Sequence, residues 1–384
     1  MGSGQYLRER PARPSGSSER PLFPVSRDHL DSMTSPIGLW QHARGADPDP
    51  RFGFCTDDVA RAIAVDTLHA RELGWAAVDV SIRRSLLFLQ QAFDRPTGRF
   101  LNFRDADGQW LEDGASEDCH ARALGGLAAI MVEVPGSELA DAARRLFAQA
   151  LPAATSFAAI RAISAALIAC DSVVEAELPA EAGTVLAKLC TNLVAAFGDP
   201  PAEWPWPDPI LTYENPLVPR ALIVAGVRGR RRPVVARGLA VLDWLIDVQT
   251  SEGGNFSPIG NRGWWPRGSE RSRFDQQPIE AASMVLAAAT AFGVTGRARY
   301  ADAAETAYGW FLGDNDVGVP VAIPVSGGCF DGLTPSGPNT NQGAESTLMW
   351  LMSLEAIREM RRSRSIEIST GEALPAVSVT RARG

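Results

Sequence analysis

The chain lacks the features that most quickly betray a function. No apolar run approaches the roughly 20 residues needed to cross a bilayer, and Met1 to Pro21 is rich in Arg, Ser, Gly and Pro without the apolar core of a signal peptide. A cytoplasmic protein is expected. The five cysteines, Cys55, Cys119, Cys170, Cys190 and Cys329, are odd in number, scattered and without a C-x-x-C pair, which reads as reduced buried thiols. No glycine-rich phosphate loop, nucleophile elbow or H-x-x-x-H pair occurs among only four histidines. Asp105-Ala106-Asp107-Gly108 echoes a calcium loop but has no distal bidentate Glu and reads as a hairpin turn. A net charge of −8 excludes a general affinity for nucleic acid or anionic membrane. No metal and no cofactor are expected.

What is present is helix. Residues 1–20 and 364–384 lack hydrophobic periodicity and are expected to be disordered, leaving a single domain over 21–363. Within it, apolar residues at three-and-four spacing mark helices near 57–73, 77–93, 118–133, 137–150, 156–171, 179–197, 214–227, 232–249, 275–293, 297–312 and 341–361, and 27–35 supplies a twelfth. The segments alternate in character. Those at 118–133, 156–171, 275–293 and 341–361 carry little charge after a polar start, as helices buried on all sides should. Those at 77–93, 137–150, 179–197, 232–249 and 297–312 have one charged and one apolar face. The polar starts Asp58, Asp118, Ser156, Glu214, Asp275 and Glu345 recur at about 60 residues, with one shorter and one longer interval. Inner and outer rings of six hairpins make an all-α (α/α)6 barrel.

The long irregular connections at 94–117, 198–213, 250–274 and 313–340 all precede inner helices, whereas the turns that follow inner helices, such as Val134-Pro135-Gly136, are tight. One face of the barrel is thus elaborated, and loops on a rigid scaffold are where function concentrates. Carboxylates gather at that face. Capping accounts for single Asp, Ser or Asn residues at helix starts, at about 0.5–2 kcal/mol each. It does not account for the doublets Asp57-Asp58 and Glu117-Asp118, because one side chain suffices to cap and a second like charge costs energy.

The motifs Cys55-Thr56-Asp57-Asp58-Val59-Ala60-Arg61, Ser116-Glu117-Asp118-Cys119-His120-Ala121-Arg122, Phe274-Asp275-Gln276-Gln277-Pro278-Ile279-Glu280 and Asn341-Gln342-Gly343-Ala344-Glu345-Ser346-Thr347 carry a resemblance. The chain resembles the six-hairpin glycosidase superfamily from about residue 25 to 361, and is similar to a bacterial helical domain sometimes attached to glycosyltransferases. The resemblance implies a carbohydrate-active protein with an oligosaccharide or glycan as substrate, acting alone or with a separate glycosyltransferase partner. Because glycosidases on helical toroids are predominantly inverting, it also implies a glycoside hydrolase with a general acid and a general base about 6.5–9.5 Å apart.

The residues allow roles to be drafted. Asp58 and Arg61 are three apart and Asp118 and Arg122 four apart, so each pair shares a helical face and the cation would hold the carboxylate ionised. Glu345 has no cation within one turn, which assigns it the acid and leaves Asp58 or Asp118 the base. Asp57, Glu117, His120, Arg61, Arg122, Glu214, Asp275, Gln276, Asn341 and Gln342 are expected to bind sugar hydroxyls, and the loop tryptophans Trp204, Trp206, Trp264 and Trp265 to stack on pyranose faces. Glu280 turns away as a structural partner.

Other chemistries compete. Phosphorolysis would draw its phosphate site from Arg61, Arg122, Arg220, Arg262 or Arg267. By resemblance, an epimerase on this toroid wants two facing histidines, and only His120 lies at a helix mouth. A terpene cyclase wants an apolar cavity, which the amide-rich mouth opposes. A silent glycan-binding toroid would keep the tryptophans and amides without needing paired carboxyls.

Overall fold

A computed structural model describes residues 19–111, 116–173 and 180–370. Most of the expected N-terminal segment (1–18) and the end of the tail (371–384) lie outside the described residues. Twelve α-helices are described: α1 Asp28–Ser32, α2 Thr56–Leu73, α3 Asp79–Ala92, α4 Glu117–Glu133, α5 Glu138–Ala150, α6 Ile160–Val173, α7 Ala180–Phe197, α8 Leu217–Arg228, α9 Arg232–Val248, α10 Pro278–Thr295, α11 Ala298–Phe311 and α12 Ala344–Thr370. Even-numbered helices pack side by side in the order α2, α4, α6, α8, α10, α12, and α12 returns to α2, closing an inner ring. Each of α3, α5, α7, α9 and α11 packs outside the helix before it.

Composition explains the two rings. The helix α10 opens on Pro278 at its first turn, ends on Gly296 in the left-handed region (φ 65°), and buries Ile279, Met284, Val285 and a run of alanines between. It is long and apolar enough to cross a membrane, a property the sequence reading did not credit to any segment, yet here it is an inner-ring helix packed against α8, α11 and α12. Small residues let the inner helices approach closely: a side chain at Gly126 of α4 would stand 2.9 Å from the Ala60 carbonyl of α2.

The sixth outer position departs from the pattern. α1 has five residues, and the extended segment before it completes the wall, held to α12 by Arg358 donating to the Phe23 carbonyl and Arg361 donating to the Arg20 carbonyl, both at 2.8 Å. The third polar start also differs. Ser156 ends a 3-10 turn and α6 begins at Ile160, its leading amides capped from α4 by Glu117.

Candidate active site

The inner-helix N-termini and their long loops surround a cavity of about 490 Å³. Its wall includes Asp57 and Asp58 from α2, Glu345 and Ser346 from α12, Asp275 to Gln277 before α10, Asn102 and Phe103, and the ribbon formed by Gly332–Thr334 and Gly337–Asn339. The first turn of α2 is pinned there because the Thr56 hydroxyl donates to the Leu101 carbonyl at 2.6 Å and its amide donates to the Asn102 carbonyl at 2.8 Å. Asn261 and Asp275 are brought together where the chain crosses itself at Gly260, whose position leaves no space for a side chain beside the Phe274 carbonyl.

Beneath the cavity two guanidiniums organise the carboxylates. Arg61 Nη1 lies 3.1 Å from Asp58 Oδ1 and 3.2 Å from Asp57 Oδ2, while its Nη2 lies 3.1 Å from Glu345 Oε2. Arg122 Nε lies 2.8 Å from Asp57 Oδ1, and its Nη2 pairs with Glu214. An alternating chain Glu345, Arg61, Asp57, Arg122, Glu214 therefore crosses the mouth from α12 to the start of α8. Three carboxyl groups share Arg61, and the one most removed from water bears the cost. Burial drives the Asp58 carboxyl up to about 8 against the pull of Arg61, and the neighbouring Glu345 and Asp57 add to the rise. Only 4% of Asp58 is exposed, whereas the Glu345 side chain is 41% exposed.

These electrostatics run opposite to those drafted from sequence. Local spacing left Glu345 without a cation, but Arg61 reaches it from the adjacent inner helix. Local spacing also made Asp58 the ionised partner of Arg61, but burial outweighs that attraction and keeps Asp58 protonated near neutrality. Asp118 does not line the cavity; its carboxylate accepts the Tyr213 hydroxyl, whose pKa is raised by burial and by that bond.

Several expected sugar contacts have structural duties instead. Glu117 Oε2 accepts the amides of Ala158 and Ala159 at 2.9 and 2.8 Å. His120 is fully buried between Phe100 and Phe157 with its Nε2 on the Ala150 carbonyl, and burial holds its pKa down at about 4. Glu214 is spent on Arg122, in a left-handed backbone (φ 48°) that a glutamate adopts only under constraint. The Gln276 side chain accepts Trp310 Nε1 and donates to Asp316, a loop hub that also receives Ser257 and Asn255. Asn341 and Gln342 lie outside the cavity wall and tie the 41–48 loop to the start of α12 through Gly45. Trp204 and Trp206 are 4% and 2% exposed and pack in the core, because the 198–213 connection folds inward over α7 and α9. Trp265 stacks on Trp244, and Trp264 leans on Tyr213; neither lines the cavity.

Of the residues anticipated, Asp57, Asp58, Asp275 and Glu345 line the cavity with carboxylates, and Arg61 lies below it. The sequence reading missed His42, Asn102, Asn261, Asp331, Asn339 and Ser346. Ser346 follows Glu345 within a motif already quoted but was given no role; the others sit in connections whose destination no local pattern reveals.

Solved structures share this architecture. A sugar epimerase from a ruminal bacterium aligns with TM-score 0.67 at 12% identity, covering 86% of this chain and 94% of its own. A cellobiose 2-epimerase from Bacillus thermoamylovorans aligns with TM-score 0.65 at 12% identity, covering 88% and 98%. A GH76 α-mannanase from Bacteroides thetaiotaomicron aligns with TM-score 0.60 at 10% identity, covering 88% and 95%. The chain shares the (α/α)6 toroid of these structures. No family model and no curated protein matches the sequence. At such identities the likeness concerns the toroid and not the reaction, so the chemistry rests on this toroid's own mouth.

Proposed function

We propose that the protein is a glycoside hydrolase acting on an oligosaccharide, with Asp58 as general acid and Glu345 as general base. One observation carries the reading: a buried carboxyl that stays protonated near neutrality lines the same cavity as a half-exposed glutamate, the two held on different nitrogens of Arg61. Asp58 gives its proton to the glycosidic oxygen as the bond from that oxygen to the anomeric carbon breaks. Water attacks the carbon and passes a proton to Glu345. A guanidinium between the two carboxyl groups favours room for that water, hence inversion, over a closely paired nucleophile.

The polar wall of Asn102, Asn261, Gln277, Asn339 and Ser346 suits hydroxyl recognition. Phosphorolysis is less well supported. Arg61 and Arg122 are committed to carboxylates, Arg220 donates to Thr290, and Arg262 and Arg267 pair with Asp275 and Glu203. An epimerase relay of two histidines is also less well supported, since His42 lines the cavity while His29, His69 and His120 are buried elsewhere.

The test is product chromatography after incubation with α- and β-linked oligosaccharides, with and without phosphate, for the native protein and for Asp58→Asn and Glu345→Gln. Cleavage without phosphate that both variants lose supports the proposal. Silence across the panel, or turnover that survives Asp58→Asn, overturns it.

A further inference from the structure

The charge on the cavity wall has a sign. Besides the protonated Asp58, the carboxylates Asp57, Asp275, Asp331 and Glu345 line it, and neither lysine nor arginine is among the described residues that do. The cations nearby are already shared: Arg61 among three carboxyl groups, Arg122 between Asp57 and Glu214, and Arg262 with Asp275 at the rim. Asp331 has no cationic partner among the described residues; its Oδ1 accepts the Gly343 amide at 2.7 Å and its second oxygen has no hydrogen bond.

Independently, three polar side chains more than nine-tenths buried on this wall are incompletely satisfied. Asn102 (8% exposed) has its Oδ1 occupied by the Cys55 thiol, but its Nδ2 has no acceptor among the described residues. Among the described residues the Ser346 hydroxyl (6% exposed) has no partner, and Asp58 (4% exposed) has only its Oδ1 engaged, by Arg61. Buried polar groups are ordinarily bonded, so unfilled donors and acceptors on a cavity wall mark where a ligand's own polar groups belong. A hydroxyl-rich ligand answers the three neutral groups, and a positive charge answers the uncompensated carboxylate.

We infer that the cavity selects a sugar bearing a free, protonated amine, such as a 2-amino-2-deoxyhexose, over its N-acetylated or carboxylated counterparts, with Asp331 as the specificity residue. The inference rests on the carbohydrate reading of the same cavity. Acetylation removes the charge, and a uronate brings a like charge into an acidic site, which is discrimination by repulsion as well as attraction.

The experiment is calorimetric titration of the full chain with the methyl glycosides of glucosamine, galactosamine and mannosamine, their N-acetyl and 2-hydroxy counterparts, and methyl glucuronoside. At low salt, at least one amino sugar should bind on the order of tenfold more tightly than its acetylated form. That ratio should shrink as ionic strength screens the charge. Asp331→Asn, which keeps the oxygen that accepts the Gly343 amide, should bring the ratio close to one. Equal affinities for amino and 2-hydroxy sugars, or tighter binding of the uronoside, overturn the inference and leave the carbohydrate reading intact. Absence of binding throughout overturns both.

Discussion

Replacing Asp58 by Asn should remove turnover and stabilise the fold at the same time. The Asp58 carboxyl moves from 3.8 to about 8 on folding because burial outweighs the attraction of Arg61. Between those values the native state keeps a proton that the unfolded chain releases, so stability falls as pH rises through that window and is level on either side of it. Each pH unit costs about 1.4 kcal/mol, so at pH 7 the acid is destabilising by on the order of 4 kcal/mol. An amide has no proton to lose and fits the same space. Asp58→Asn should therefore gain about 2–4 kcal/mol at pH 7, the lower figure allowing for a weaker bond to Arg61, and the gain should vanish near pH 4. Calorimetric melting of both proteins from pH 4 to 8 measures it, and a difference in melting temperature that grows with pH is the expected result. A variant less stable than the native protein at pH 7, or a difference independent of pH, would mean that Asp58 is an ionised structural partner of Arg61 and would refute its role as acid.

Other predictions follow the same logic at other sites. Glu280 is fully buried and raised to about 8, chiefly by burial, so Glu280→Gln should show a stability gain that increases from pH 4.5 to 8, read by the same melting series. His120, held down at about 4, is neutral in the fold and charged when unfolded below pH 6.5. Its contribution is full above pH 6.5 and is lost as pH falls toward 4; His120→Ala should remove that acid sensitivity and cost roughly 3 kcal/mol through the cavity left between Phe100 and Phe157. Trp206→Ala should cost about 3–5 kcal/mol in urea unfolding while leaving the affinity of the folded protein for glycan unchanged, as befits a core residue. Glu345→Gln should lower kcat with little change in KM, read from steady-state kinetics.

The helical architecture was legible because periodicity is a local signal. Inner helices such as α10 announce themselves by lacking a polar face, outer helices such as α5 by having one, and the recurrence of polar starts counts the hairpins. Boundaries were less legible where another element supplies the cap. Ser156 looks like the start of α6, but the amides of Ala158 and Ala159 are taken by Glu117 from α4, and the helix begins at Ile160. Trp204 and Trp206 show the same limit from the other side. A tryptophan in a loop is apolar whether the loop covers a cavity or buries itself, and only the path of the 198–213 connection distinguishes the two.

By itself, then, the sequence determined the ring and which face of it is elaborated, and it pointed to Asp57, Asp58, Asp275 and Glu345 at that face, since these depend on spacing along one chain; it did not show that Asp331 joins them or that Asp118 does not. The tertiary structure decided what those carboxylates can do. Arg61 and Glu345 lie 284 residues apart in sequence and 3.1 Å apart in space, so no count of helical turns could assign the cation to the glutamate. The protonation of Asp58 depends on how much water reaches it, which is a property of the closed toroid and not of the helix that carries it.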